Sequence, residues 1–385
     1  MDAKSIYHNK ELAAKIGQDL DAIRNLVMAS RGAVDAAYIH RIIRWQRTLA
    51  VAGRVVMFLS LALHPKWEHS LAGWLPLFSG LGLGAFLLGL AKILENMEIG
   101  HNILHGQWDW MGHPEIQSGV WEWDTACPSE QWKHSHNIVH HTWTNVVGRD
   151  RDVGYGIMRM SDLQPWSPRY LGQFFYNMAL ATWFEYGVAL HDLELDKVAR
   201  GERSIQSIRP LFRAQLRKIG RQGAKDYLLY PLLSGPFFFY IAAANLVANL
   251  IRNVWAYMII FCGHFPEGSL MFTEEEIQGE TRGQWYVRQI LGSCNIRGGR
   301  LFHILSGNLS HQIEHHLFPD MPSLRYQAVA PLVQDIARKY QIPYNSHGLA
   351  RQFGTTIKAI IKYSFPSKSA AEAPKSSDHQ GPVAA

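Results

Sequence analysis

The sequence predicts an all-helical integral membrane protein in which four transmembrane helices form two hairpins below a helical, histidine-rich cap. Three observations lead to this fold class. Charged residues make up only 18% of the 385 residues, the apolar residues are collected in long blocks, and the chain contains 19 histidines. Soluble domains usually have a charged share of about 25%. The composition excludes a disordered or collagen-like chain, and three cysteines without a CxxC pair do not indicate a disulfide framework.

The first 47 residues are expected to form cytoplasmic amphipathic helices. Residues 11–28 have apolar side chains at helical spacing with charges throughout, which is unlike a signal peptide. Residues 48–365 are expected to form one domain. Residues 366–385 consist largely of Ser, Ala, Pro and Lys, so this segment is expected to be a disordered tail.

The apolar blocks predict four spans. The first hairpin takes residues 48–64 and 71–94, and each block approaches the ~20 residues that cross a bilayer. The third block has no charge from Tyr227 to Ile251 and stays apolar beyond Arg252, which is long enough for two helices. We therefore expect spans at 228–245 and 247–263, with a turn near residues 244–249. The alternative, buried helices of a soluble protein, is disfavoured by the Gly-rich, charge-poor character of these blocks.

The distribution of basic residues predicts the orientation. Lys and Arg are frequent in 1–47, 96–226 and 264–385, whereas the loop between the first two spans carries only Lys66. The positive-inside rule therefore places both termini and the cap, formed by 96–226 and 264–365, in the cytoplasm. Residues 174–190 contain Glu185 and are expected to form an interfacial helix. The basic stretch 200–225 is expected to lie at anionic lipid, to meet coenzyme A phosphates, or to face an acidic electron donor.

Histidines recur in three clusters next to the apolar blocks. The first is His101 with His105, the second is His134, His136, His140 and His141, and the third is His311, His315 and His316, together with Gln312. Residues four apart share one face of a helix, so two imidazoles can reach the same metal ion. A lone HxxxH pattern would be weak evidence, but three clusters beside apolar spans are a strong signal.

The number of histidines indicates two metal ions. Zinc usually takes four ligands, fewer than these clusters offer, and an HExxH hydrolase motif is absent from the sequence. Imidazole suits iron and copper as well as zinc. Two metals in a His-rich shell at a membrane face suggest oxygen activation on an apolar substrate.

At these residues the chain resembles the membrane-bound fatty acid desaturases, whose three histidine boxes read HxxxH, then HxxHH or HxxxHH, then HxxHH or QxxHH. Here the boxes are His101/His105, His136/His140/His141 and Gln312/His315/His316. The strings WKHSHN, TWTN and QIEHHLFP flank or contain them, and the last is similar to front-end and some actinobacterial acyl-CoA desaturases. The family's additional histidine matches His264, in CGHFP. The resemblance covers roughly residues 45–345.

The resemblance implies a non-haem di-iron enzyme that uses O2 and external electrons to place a cis double bond in a long-chain acyl group. It implies these metal ligands: His101, His105, His136, His140, His141, His264, His315 and His316, with Gln312 as a weak ligand or outer-shell donor. No HPGG string of a fused cytochrome b5 and no Fe–S or dinucleotide motif is found. A separate ferredoxin, cytochrome b5 or reductase is therefore expected, in a bacterial cell membrane rather than the endoplasmic reticulum.

Other polar residues receive weaker predictions. His134 and His311 are expected to be outer-shell or surface residues, and His303 a core or outer-shell residue. Glu314 is expected to orient a ligand imidazole, and Asp150 and Asp152 to do the same for the second box or to lie in a solvated loop. The remaining histidines are expected in solvent or loops: His8, His40, His64, His69, His113, His191, His347 and His379.

Trp121, Trp123 and Trp132 either line an acyl tunnel or serve as interface anchors and core.

Two rival functions remain at this point. A di-iron hydroxylase of alkanes or lipids would share the boxes, although alkane hydroxylases carry a different third box. A membrane metal carrier would place its ligands inside the spans, whereas these boxes lie outside the apolar cores. Nothing in the sequence indicates nucleic-acid binding.

Overall fold

The apolar blocks become long helices in a computed structural model, which describes residues 3–65 and 70–366. Nearly all regular structure is helical. The helices are α1 Ala3–His8, α2 Lys10–Ala29, α3 Ala33–Ser60, α4 Leu71–Ile93, α5 His101–Leu104, α6 Ser129–Trp132, α7 His141–Trp143, α8 Gln173–Thr182, α9 Phe184–Asp192, α10 Leu195–Ala199, α11 Ile205–Ala224, α12 Tyr230–Leu233, α13 Phe238–His264, α14 Arg282–Gly292, α15 Arg300–Leu305, α16 Gln312–Leu317, α17 Tyr326–Lys339 and α18 Leu349–Tyr363. The tail predicted at 366–385 lies, apart from residue 366, outside the described residues.

Three π-helical segments join neighbouring helices into continuous rods. Leu94–Gly100 connects α4 to α5, Lys133–His140 connects α6 to α7, and Lys225–Leu229 connects α11 to α12. Two short strands, β1 Asn295–Arg297 and β2 Ser346–Gly348, pair in parallel, with Asn295 opposite Ser346. This small sheet ties the C-terminal helices to the segment before the third histidine box.

Within the described residues, three helices are long and apolar enough to cross a membrane: Ala33–Leu63, Leu71–Leu104 and Gly235–His264. The first begins well inside the segment that was expected to be separate N-terminal helices. The boundary predicted at 47/48 is therefore not a helix boundary, because α3 runs through it from Ala33 to Ser60.

The turn expected near residues 244–249 is wrong, and the predicted spans 228–245 and 247–263 are corrected accordingly. Residues 238–264 form one uninterrupted helix, α13. The break lies earlier, at Ser234–Phe237, where Gly235 has a φ of 57° and is followed by Pro236. Gly and Pro interrupt a helix more strongly than Asn or Ala does, so the chain turns there. The second hairpin thus pairs the α11–α12 rod with α13.

Small residues allow the apolar helices to pack closely. A Cβ atom added to Gly53 would lie 2.7 Å from the Leu88 nitrogen, and one added to Gly89 would lie 3.0 Å from Ile251. These contacts join α3 to α4 and α4 to α13. Close approach of helix backbones at small residues is typical of membrane helices.

The N-terminal helices pack on the cap. A Cβ atom on Gly17 of α2 would lie 3.0 Å from the Cα of Gly283 in α14, and Arg282 forms a 2.7 Å ion pair with Asp21. Burial of Ile16 and Leu20 against the helices of the cap completes this contact.

The interfacial helix expected over residues 174–190 is two helices. The chain leaves helical geometry at Trp183, where φ is −114° and ψ is 35°. The two helices meet at a kink there, and a Cβ atom added to Gly187 of α9 would meet the side chain of Leu180 in α8. The prediction of one continuous helix is therefore wrong.

Candidate metal centre

Four helical elements bring the histidine boxes together at one end of the apolar helices. His101 begins α5 and His105 follows its last turn, so the first box prolongs a long apolar helix. The second box lies on the rod formed by α6, a π-helical segment and α7, and the third on α16. His264 is the last residue of α13. The π-helical geometry at two of the boxes is typical of functional sites.

The imidazoles form two groups. One nitrogen each from His101, His105, His136 and His315 lie within 4.8 Å of one another, and the same holds for His140, His264 and His316. His101 and His105 thus share a group, as their spacing predicts. His136 and His140 have the same spacing but are divided between the groups, as are the adjacent His315 and His316.

His141 and Gln312 complete the set of predicted ligands. The ring of His141 lies 4.7 Å from that of His105 and 4.5 Å from that of His316, centroid to centroid, so it stands between the groups. The Gln312 amide nitrogen lies 3.0 Å from Nε2 of His264 and 3.1 Å from Nε2 of His316. All nine predicted residues are therefore brought into one cluster.

Hydrogen bonds hold the outer ring nitrogens of several imidazoles. The His140 Nδ1 lies 3.0 Å from Asp150, the His101 Nδ1 lies 3.1 Å from Asn102, and the His315 Nδ1 lies 3.4 Å from the Tyr326 hydroxyl. The His316 Nδ1 faces both Thr144 and Gln289 at 3.2 Å. Such partners fix the ring orientation of metal-ligating histidines and leave Nε2 for the metal.

The inner nitrogens fit a metal site. The Nε2 atoms of His105, His140 and His315, and both ring nitrogens of His141, are buried without any hydrogen-bond partner among the described residues. Buried polar atoms are almost always paired in folded proteins. Imidazole nitrogens that converge without partners are therefore what bound metal ions would satisfy.

The electrostatics keep most of these ligands neutral. Burial, followed by repulsion from neighbouring imidazoles, lowers the pKa of His105, His136, His141, His315 and His316 well below the ordinary value. Neutral imidazole is the form that binds metal. At His140, burial again lowers the pKa, but the Asp150 and Asp152 carboxylates outweigh it and raise the pKa to about 9.

Two predictions about neighbouring residues are corrected. Glu314 does not orient a ligand imidazole, because its oxygens accept hydrogen bonds from Asn295 (2.8 Å) and the Tyr344 hydroxyl (2.7 Å). It joins α16 to β1 and to the segment before β2. His191 is not a solvent or loop residue: it lies 3.2 Å from Asp152, which in turn approaches His140 and His136.

The other weaker predictions are settled by position. Asp150 forms a hydrogen bond with His140. Of the two roles predicted for Asp150, the structure therefore supports orientation of a histidine of the second box and not a place in a solvated loop. His134 is a surface residue. His303 and His311 stack on each other, with ring centroids 4.5 Å apart, outside both metal groups.

A cavity of about 60 Å³ reaches the cluster. It touches His101, His136, His264 and Gln312. Trp123, Trp132 and several other apolar side chains line it, namely Met97, Tyr155, Phe184, Val188, Ile260 and Leu309. Two of the three tryptophans are thus wall residues, whereas Trp121 is not among the lining residues.

Several supporting residues are not predicted by the sequence, because no local pattern marks them. Thr144 and Gln289 lie 172 and 27 residues from His316 along the chain. Tyr326, which contacts His315, also donates to the Phe318 carbonyl oxygen and so anchors the third box. The one available signal was the TWTN string, which places Thr144 one helical turn after His140.

Comparisons with known proteins find several relatives of this chain. A family model described as "Fatty acid desaturase" matches residues 72–348. The chain is 44% identical over 357 residues to an NADPH-dependent stearoyl-CoA 9-desaturase of Mycobacterium tuberculosis. The aligned region covers 92% of this chain and 80% of the relative. It is 26% identical over 283 residues to an sn-1 linoleoyl-lipid 6-desaturase of Synechocystis sp., covering 72% and 77%. Fatty acid desaturase 3 of Homo sapiens is 24% identical over 313 residues, covering 75% and 61%.

Proposed function

The chain belongs to the fatty acid desaturase family and is an oxidoreductase that desaturates acyl groups, and from that premise we propose that it uses two iron ions, O2 and external electrons. The observation that carries the proposal is the convergence of eight imidazoles and Gln312 beside an apolar cavity. Imidazole-rich shells suit iron, and an apolar cavity suits an acyl chain.

We propose that each imidazole group holds one iron. His101, His105, His136 and His315 would bind the first, and His140, His264 and His316 the second, with Gln312 beside the second and His141 between the two. The unpartnered Nε2 atoms of His105, His140 and His315 support this assignment. Bound iron would supply the oxidising power, drawn from O2, that cleaves unactivated C–H bonds.

The protein's own part is orientation and exclusion of water. Loss of two hydrogen atoms turns –CH2–CH2– into –CH=CH–, and O2, two electrons and two protons from outside balance the reaction as two waters. Trp123, Trp132 and Tyr155 would hold the acyl chain in the cavity against the His101 and His136 edge. Asp150, Gln289 and Tyr326 would keep the imidazoles in place as the substrate enters.

The substrate is proposed from the mycobacterial relative. That relative's name gives stearoyl-CoA as the substrate and 9 as the position. At 44% identity over nearly the whole chain, we propose a saturated long-chain acyl-CoA and the same position here. The relative's name also describes it as NADPH-dependent. This supports a separate electron donor for the present chain, such as a ferredoxin or a reductase.

We propose four membrane crossings with both termini and the cap in the cytoplasm of a bacterial cell. Three helices are apolar and long enough, and the fourth crossing would be the α12 end of the α11–α12 rod. The ring of His64, in the first turn, contacts Trp74, Phe237 and Tyr240, so the two turns lie at the same end. Asn245 binds the Asp226 carbonyl and holds the rod against α13.

The product profile tests the proposal. The full chain would be expressed in a desaturase-deficient host with an NADPH-driven redox donor, and the fatty acids derivatised and analysed by gas chromatography–mass spectrometry. We expect a cis double bond at position 9 of the C18 chain, as in the relative. A hydroxylated product would favour the hydroxylase, and no product from membranes holding iron and supplied with donor would contradict the proposal.

Substitution of a proposed ligand tests the site. We expect His316→Ala to abolish the product and to lower the iron content, while the protein stays in the membrane fraction. His40→Ala, at an exposed histidine of α3, is the matched control and should leave both unchanged. Full double-bond formation by His316→Ala would disprove the ligand assignment.

A further inference from the structure

A buried ion pair lies in the wall of the cavity, and the proposed reaction does not use it. Arg252 of α13 and Glu185 of α9 form this pair, and both residues line the cavity. Arg252 is 1% exposed and Glu185 is 9% exposed. Charged residues within an apolar span are costly, and they usually mark a functional site. The pair is therefore expected to act on what the cavity holds.

The pair lies at the end of the cavity away from the last residue of α13. The residues of α13 that line the cavity are Arg252, Asn253, Ile260 and His264. At the rise of an α-helix, the stretch from Arg252 to His264 spans about 18 Å. His264 belongs to the imidazole cluster, so Arg252 lies on the side of the cavity that points towards the turns of the two hairpins.

Hydrogen bonds make this end of the cavity a polar floor, which consists of Glu185, Arg252 and Asn253. The Arg252 Nε donates to the Asn253 side-chain oxygen at 2.9 Å, and its Nη1 donates to the Asp124 carbonyl oxygen at 3.3 Å. Asn253 donates in turn to the Thr182 carbonyl oxygen at 3.0 Å. The polar floor thus joins α13 to α8, to α9 and to the loop before α6.

The other parts of the cavity adjoin open grooves on the cap. His191 lines the cavity and one groove, and His264 lines the cavity and another. Ser135 and Asp192 are shared with a third groove. No residue of the polar floor lines any of these three grooves. A coenzyme A group is large and charged, so it would stay on the groove side, and the methyl end of the acyl chain would point towards the polar floor.

A polar floor limits an alkyl chain more sharply than an apolar wall does. A methyl group cannot replace the partners of Arg252 or Glu185, and separation of the pair would leave a buried charge uncompensated. A flexible apolar side chain such as methionine can instead change its rotamer to make room for further methylene groups. The charges therefore matter in addition to the bulk of the two side chains.

We propose that the ion pair between Arg252 and Glu185 sets the upper chain length of the acyl substrate by stopping its methyl end. This inference rests on the proposed function and names a specificity determinant of the same cavity. Acyl chains that end before the polar floor are accepted, and chains that would extend into it are rejected. Neither residue is among the proposed metal ligands, so their effect is on chain length and not on the metal site.

Chain-length profiles of the full chain test the proposal. The purified protein, with NADPH and a redox donor, would receive saturated C16, C18, C20 and C22 acyl-CoA, and kcat/KM would be measured for each. We expect Arg252→Met/Glu185→Leu to raise the ratio of C22 to C18 efficiency about tenfold. Because both charges are removed together, no buried charge is left unpaired and the variant should fold. Arg252→Ala/Glu185→Ala, which also opens space, should raise the ratio further.

Binding gives a readout that does not depend on turnover. Without NADPH and donor, calorimetric titration of the detergent-solubilised full chain would give the affinity for the same acyl-CoA series. We expect both double variants to bind C22 acyl-CoA more tightly, relative to C18, than wild type does. Arg282→Ala/Asp21→Ala removes an ion pair that does not line the cavity, and this matched control should keep the wild-type profile. A shifted binding profile without any double bond would contradict the proposed reaction but support the role of the polar floor.

Three outcomes would overturn the inference. An unchanged ratio of C22 to C18 in both double variants, in turnover and in binding, would show that the acyl chain does not reach the polar floor. An equal shift in Arg282→Ala/Asp21→Ala would show a general loosening of the protein. An equal loss of affinity for every chain length in both double variants would show that the pair supports the fold or the coenzyme A group and does not meet the methyl end.

Discussion

At the residue scale, hydrogen bonds to outer ring nitrogens decide what the imidazoles can do. Asp150 accepts from His140 Nδ1 with one oxygen at 3.0 Å, and its other oxygen accepts from the Asn145 backbone N–H at 2.7 Å. The carboxylate is buried and held from two sides, so it fixes the ring of His140 with Nε2 directed into the cluster. Outer-shell carboxylates of this kind raise the affinity of a histidine for metal.

Asp150→Asn should therefore weaken iron binding on the order of 10- to 100-fold while leaving the fold intact. The amide keeps the shape of the side chain but loses the charge that orients and polarises His140. Chelator competition, read as iron retained per chain, would measure this. Asp335→Asn, at an exposed carboxylate of α17, should retain iron like the wild type; equal retention by both variants would refute the role of Asp150.

Tyr155 shows how backbone strain shapes the cavity wall. Gly154, Tyr155 and Gly156 have consecutive positive φ angles of 65°, 52° and 71°. A left-handed conformation costs a non-glycine residue roughly 1–2 kcal/mol. The tyrosine ring in this segment lines the cavity and stacks on Phe261, with ring centroids 5.6 Å apart.

At the scale of elements, glycines determine how close the apolar helices come. A Cβ atom added to Gly84 of α4 would lie 2.6 Å from the Met57 side chain and 2.8 Å from the Gly53 carbonyl oxygen. Gly82, two residues away on the same helix, has nothing within 4 Å of its added Cβ. Glycine is thus required at position 84, whereas position 82 has room for a larger side chain.

Gly84→Ala should destabilise the protein by about 1–3 kcal/mol, because the methyl group forces α3 and α4 apart. Gly82→Ala should be neutral or slightly stabilising, since alanine favours the helix. Thermal unfolding of both variants in the same detergent would compare them. Equal unfolding temperatures would contradict the close packing of the hairpin.

The contact between α2 and α14 is sensitive to pH. Burial would raise the pKa of Asp21, but hydrogen bonds from Arg282 and Tyr286 outweigh it and lower the pKa. A lowered folded-state pKa gives stability that is present above the unfolded value, near 3.9, and is lost as the pH falls below it. The N-terminal helices should therefore loosen in acid.

Hydrogen exchange of the α2 amides would detect this loosening. At pH 7, Asp21→Asn should exchange faster than wild type, because the ion pair with Arg282 is absent. As the pH falls below about 4, the two proteins should converge. Comparison at each pH removes the intrinsic pH dependence of exchange, and a difference that persists in acid would contradict the role of Asp21.

At the scale of the whole molecule, the turns at His64 and at Ser234–Phe237 lie together at one end, and the histidine boxes lie at the other. Helix α13 connects both ends, from Phe238 beside the first turn to His264 in the cluster. In the proposed topology, this arrangement would place the two turns on the side of the bilayer opposite the cap.

Cysteine labelling tests the orientation. Leu71→Cys and Phe239→Cys, at residues 86% and 81% exposed, should react with a membrane-impermeant maleimide in intact cells. Leu26→Cys on α2 should react only after permeabilisation. The native Cys127, Cys262 and Cys294 are buried and give little background. Labelling of all three variants, or of Leu26→Cys alone, in intact cells would exclude the proposed topology.

The sequence by itself determined the helical class, the presence of apolar helices long enough to cross a membrane, and the family, because apolar block length and histidine spacing are local properties. Sequence reasoning misplaced the turn of the second hairpin, because it weighed the Ala and Asn residues at 244–249 above the Gly235–Pro236 pair, where the helix breaks. Only the tertiary structure decided how the imidazoles divide into two groups, and that Asp150, Gln289 and His191 support them. These contacts join elements up to 172 residues apart, as between Thr144 and His316, and depend on helix packing that local patterns do not encode.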